Sequence, residues 1–127
     1  MNNKTLMKKV IELDTQTLHT REQSERVMVQ IAIIRKAFGV KNIETNNRVL
    51  NFERDQVLSS QEIEKEFNEY VGFWDWAIKS NDQDKAKLFE SKVRYFIDGV
   101  RFFDDKLAKR FKESFTDKLK NTELETV

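Results

Sequence analysis

Between Asn81 and Lys120, apolar side chains recur in heptad order. Phe89, Val93, Phe96, Val100, Phe103 and Leu107 follow one another at spacings of four, three, four, three and four, and Phe111, Phe115 and Leu119 continue the stripe at intervals of four. A repeat averaging 3.5 residues holds one side of a helix toward a partner, so the segment predicts helix with an apolar seam. Unbroken from 81 to 120, that helix would be about 60 Å long at 1.5 Å per residue. A rod of that length with so many aromatic residues on one side needs other helices against it. The register crosses Gly99 without a phase jump, which favours one continuous helix of about 82–120. Asp98-Gly99 is the turn-like pair at which it would otherwise divide, giving a more compact bundle.

The rest of the chain reads as helix too. Proline is absent and glycine occurs only at Gly39, Gly72 and Gly99, too few breakers for a strand-rich domain. Leu6, Val10 and Leu13 make one stripe of a first helix, about 5–18, which Met7, Ile11 and Leu18 widen. Thr20 with Gln23 has the spacing of a capping box, so a second helix starts there unless one helix runs unbroken to Phe38. Val27, Met28, Val29, Ile31, Ala32, Ile33, Ile34, Ala37 and Phe38 are apolar nearly all round, the pattern of a buried helix, and Gly39 stands where a C′ residue would end it. Residues 39–58 form a connector. Asn46-Asn47 can turn tightly, and Val49, Leu50 and Phe52 suit a short strand, so a small β-hairpin and an irregular link are both compatible with this stretch.

Ser59 with Glu62 is a second capping box, opening a helix of about 60–80 whose core stripe is Ile63, Phe67, Tyr70, Val71, Trp74 and Ile78. Asn81 is expected to cap the long helix, with Asp82 and Asp84 at the positive end of its dipole. Residues 121–127 read as a tail. The expected fold is a single all-α domain: an elongated bundle or long antiparallel helical hairpin, completed by the N-terminal helices of about 5–38.

Chemistry is constrained mostly by what is missing. The chain has no cysteine and one histidine, His19, so zinc and thiolate sites lack their ligands. No glycine-rich phosphate loop occurs. Two ExxE pairs, Glu22/Glu25 and Glu66/Glu69, each set two carboxylates on one helix face, yet no ExxD follows to complete a magnesium site of the diphosphate-hydrolysing kind. A carboxylate hydrolase therefore stands as a remote alternative. No catalytic residue, cofactor or metal ligand is assigned. The stretch IAIIRKAFGV fails as a helix-turn-helix, because Arg35 and Thr45 fill the positions that need a small and an apolar residue.

The formal net charge is +1, which leaves no global basic footprint for nucleic acid. Locally, residues 59–84 carry two Lys/Arg against seven Asp/Glu, whereas residues 85–127 carry eleven against eight. An acidic helix beside basic neighbours is the simplest reading of this contrast. Lys92, Arg94, Arg101, Lys106, Lys109 and Arg110 on the long helix could track a phosphate backbone, which keeps a nucleic-acid-associated protein as the alternative function.

Two apolar features exceed the needs of a core. Leu88, Tyr95 and Phe102 form a second stripe on the long helix, with Gly99 between the last two permitting close approach of another helix. On the preceding helix, Trp76 lies opposite the core stripe, beside Gly72 and Phe73. Leu88, Tyr95, Phe102, Gly72, Phe73 and Trp76 are the candidate partner-binding positions. The function expected is a non-enzymatic protein–protein interaction module, an adaptor, inhibitor or assembly factor acting through helix packing and self-association. The most apolar stretch, 27–38, is too short to cross a bilayer. A lack of cysteine and of an apolar leader segment makes a cytoplasmic setting the expectation.

Overall fold

A computed structural model describes Lys8, Lys9, Glu12, residues 20–39 and residues 56–125. These form an all-helical bundle of α1 (Arg21–Ala37), α2 (Ser60–Lys79), α3 (Gln83–Arg101) and α4 (Asp105–Glu125), with no strand among the described residues. Lys8, Lys9 and Glu12 are helical, but the remainder of the first expected helix lies outside the described residues. So does residue range 40–55, and with it the expected hairpin.

Local signals set most helix ends. The Thr20 hydroxyl accepts from Gln23 N–H at 3.1 Å, so α1 begins afresh at Arg21. Gly39, at φ 68°, follows it in the left-handed conformation that a C′ residue needs. Ser59 and Glu62 form the reciprocal capping box at the start of α2. The end of α2 corrects one expectation. Asn81 terminates α2 instead of capping α3: it sits at φ 57°, its N–H donates to the Ile78 carbonyl, and Asp82 N–H donates to the Ala77 carbonyl. That pair of bonds is a Schellman ending, and Asp82, accepting from Lys85 N–H at 3.1 Å, is the cap of α3.

The second correction is larger. The heptad segment is two helices, divided at residues 102–104, three residues beyond the Asp98-Gly99 pair. Phe103 and Asp104 N–H both return to the Val100 carbonyl, and Asp104 Oδ1 then accepts from Leu107 N–H at 3.1 Å. An aspartate three residues ahead of the next apolar seam position is a strong N-cap, and it competes successfully with helix continuation. The seam survives because both helices turn it inward. Val93, Phe96 and Val100 from α3 meet Leu107, Phe111 and Phe115 from α4 in one core, with Phe89, Phe103 and Leu119 partly buried at its margin. A heptad register therefore describes a helix folded back on itself as well as it describes a rod.

Aromatic stacking fixes the layers. The Phe67 and Phe111 rings stack at 4.2 Å, Trp74 meets Phe115 edge-on at 5.2 Å, and Tyr70 leans on Phe96 at 5.2 Å. Contacts of Phe67 with Phe96 and of Phe73 with Phe89 show α2 and α3 antiparallel. α1 packs along α3, with Phe38 edge-on to Phe103 at 5.5 Å. The expectation of a helix buried all round holds for only part of α1. Val27, Ile33, Ile34, Ala37 and Phe38 are buried, while Met28 and Ala32 are exposed on the side turned away from α3. The acidic α2 does pair with basic neighbours: Lys36 of α1 bonds Glu66, and Arg110 of α4 donates to Glu64 at 3.3 Å.

Candidate interaction surface

The outer face of α2 arises from simple periodicity. Ile63, Phe67, Val71 and Trp74 point into the core, so Lys65, Glu69, Gly72, Phe73 and Trp76 fall on the opposite side and are exposed. Phe73 remains 56% exposed and Trp76 52%. The antiparallel return of α3 sets Phe89 against Phe73, with ring centroids 5.5 Å apart, and places the Lys85 ammonium 5.3 Å over the Trp76 ring. Together Glu69, Gly72, Phe73, Trp76, Lys85 and Phe89 line a shallow, mostly apolar groove of about 620 Å³.

Glycine at position 72 is unusual in this setting. An interior helical glycine costs ~1 kcal/mol relative to alanine. A Cβ built on Gly72 meets nothing within 4 Å, so no described neighbour requires the space. Gly99 is the opposite case, and there a Cβ would lie 2.5 Å from the Ile33 side chain and 3.0 Å from the Gln30 backbone.

The candidate binding positions therefore separate into two groups. Gly72, Phe73 and Trp76 come together in the groove. Tyr95 and Phe102, with Gly99 between them, lie on the other flank of α3, against α1 and Lys9. Tyr95 donates its hydroxyl to Glu22 at 3.2 Å, and Lys9 sits 5.5 Å over the Phe102 ring. Leu88, in the first turns of α3, is 37% exposed and does not line the groove. Phe89 and Lys85 belong to the surface but were missed in the sequence. Phe89 reads as a core seam residue, and only the tight turn at residues 80–82 reveals that it lies at the edge.

The basic candidates do not form an unopposed track. Arg94 pairs with Glu90, Arg101 with Asp98, Lys109 with Asp105 and Arg110 with Glu64. Lys92 lies 5.9 Å over the Phe89 ring, and Lys106 is exposed at the start of α4. The break at residues 102–104 folds the stripe, so these cations sit on two helices running in different directions. Three of the four ExxE carboxylates are likewise engaged, Glu66 with Lys36, Glu22 with Tyr95 and Glu25 with Arg21. Among the described residues no group of three metal-ligating side chains converges, and no helix is long and apolar enough to cross a membrane.

Three groups are shifted by their surroundings. The hydrogen bond to Glu66 holds the Lys36 ammonium above its ordinary range, with Glu69 adding attraction. Burial raises the Tyr70 phenol. Burial first, then the Glu22 carboxylate, raises Tyr95. Each shift follows from packing within the bundle. Comparisons with protein-family models, curated proteins and solved structures find no match for this chain.

Proposed function

We propose that this protein is a non-enzymatic interaction module that recognises another protein by helix packing on the outer face of α2 and α3, as an adaptor, inhibitor or assembly factor in the cytoplasm. One observation supports the reading above others: two large aromatic side chains, Phe73 and Trp76, stand more than half exposed side by side, with Phe89 beneath and charged residues at the rim. Single exposed apolar residues are ordinary, but an aromatic cluster rimmed by charge is the usual composition of an energetic hot spot. The absence of cysteine fits a reducing compartment.

Affinity capture from the native host, run in parallel with wild type and a Phe73→Ser/Trp76→Ser double variant, tests the reading. The wild type should retain a partner that the variant loses, with melting temperatures of the two proteins alike. Equal retention by both proteins would contradict it.

A further inference from the structure

The two helical glycines of the bundle have unequal surroundings. At Gly99 the missing side chain is used, because α1 crosses there with Gln30 and Ile33 filling the space a Cβ would occupy. At Gly72 the same vacancy lies in mid-helix on the outer face, with nothing described against it and exposed aromatic rings to one side. Glycine weakens a helix interior, so a bare backbone strip on an exposed face has a physical use only when another helix approaches it. The Gly99 crossing shows how this fold uses that device.

The rim indicates what approaches. Glu69 lies one turn before Gly72, drawn toward Lys36 but in no salt bridge with a described residue, whereas Lys85 stands over Trp76, one turn after Gly72, with its ammonium 3.9 Å from Asp82 Oδ2. A two-fold axis through Gly72 would run α2 antiparallel to its copy, so residue 69 of each chain would meet the neighbourhood of residue 76 of the other. That sets Glu69 of one copy against Lys85 of its partner, twice, around a centre of Phe73 and Trp76 rings. A surface with opposite charges at its two ends and an apolar middle is self-complementary, which an isologous interface requires.

We infer that the occupant of the groove is a second copy of this chain, joined by α2–α2 packing about a two-fold axis at Gly72. The inference rests on the interaction role proposed above and names the partner for that surface.

Sedimentation of the full chain tests it. Wild type should form a dimer, and Gly72→Leu should weaken the dimer at least tenfold without lowering helicity, because the site is open within the monomer. Glu69→Lys and Lys85→Glu should each sediment as monomers. Mixed with each other they should associate, since each cross-pairing is then opposite in charge. A monomeric wild type at concentrations up to about 1 mM, a Gly72→Leu dimer as tight as wild type, or a mixture of the charge variants that stays monomeric would each overturn the two-fold dimer. If wild type is monomeric while the Phe73/Trp76 variant still loses a captured partner, the dimer is overturned and the interaction role stands. If neither association nor capture responds to these substitutions, both fail.

Discussion

Gly99 and Ile33 touch so closely that a Cβ on the glycine would lie 2.5 Å from Ile33 Cγ2. α1 and α3 thus meet through bare backbone, and this crossing seats the N-terminal helix on the bundle. Neither Gly99 nor Gly72 has the positive φ that only glycine tolerates easily, so both are explained by space and not by conformation.

The two glycines should respond oppositely to the same substitution. Gly99→Ala must displace the Ile33 methyl and crowd the Gln30 backbone, and should destabilise by about 1–3 kcal/mol, even though alanine is the better helix former. Gly72→Ala meets open space and should stabilise the dilute monomer by about 0.5–1 kcal/mol. Urea denaturation of both variants checks this. A Gly99→Ala protein as stable as wild type would show that the α1–α3 crossing is looser than described.

Phe96 is 1% exposed and packs against Phe67, Tyr70 and Phe111, linking three helices. Phe96→Ala should cost about 3–5 kcal/mol, a large part of a small domain's stability. Phe103, partly buried and packed on Phe38, should cost less. Thermal melts would order the two, and a Phe96→Ala variant melting within a degree or two of wild type would remove this seam from the core.

Stability should fall at alkaline pH. Lys36, Tyr70 and Tyr95 all have folded-state pKa values raised above their unfolded values. The native state therefore holds these protons more tightly. The resulting stabilisation is complete below the unfolded values and is lost as pH rises through the folded ones. Denaturation midpoints should stay level to about pH 9 and decline above about pH 10. Tyr70→Phe, which removes the half-buried phenol on Phe96, should make that decline shallower. An unchanged slope would assign it to other groups.

Much of this arrangement could be read from residue spacing. The Ser59–Glu62 box, the Gly39 stop, the inward stripe of α2 and every seam residue from Phe89 to Leu119 lie where periodicity and capping chemistry place them. The break at residues 102–104 was hidden because periodicity reports which face is buried, not whether the chain reverses. Only the side-chain competition of Asp104 for a backbone N–H marks the reversal, and an aspartate is unremarkable on a charged helix. The site was half visible for the same reason. Trp76 could be placed opposite Trp74 by angle alone, since Trp74 belongs to the inward stripe. The separation of Tyr95 and Phe102 from Trp76 depends on where α1 lies, and no pattern within α3 specifies that.

Trp74 and Trp76 stand two residues apart, one 4% exposed against Phe115 and the other 52% exposed beneath Lys85. This makes Trp76 a direct reporter of whether the outer face binds. In a Trp74→Phe variant, Trp76 is the sole tryptophan, and acrylamide quenching of its fluorescence can be followed as protein concentration rises. Strong quenching at high dilution, with protection growing as the protein associates, is the expected result. Quenching that is weak even at the lowest concentration would place Trp76 inside the monomer core, and strong quenching unchanged by concentration or by a captured partner would mean that nothing docks on this face.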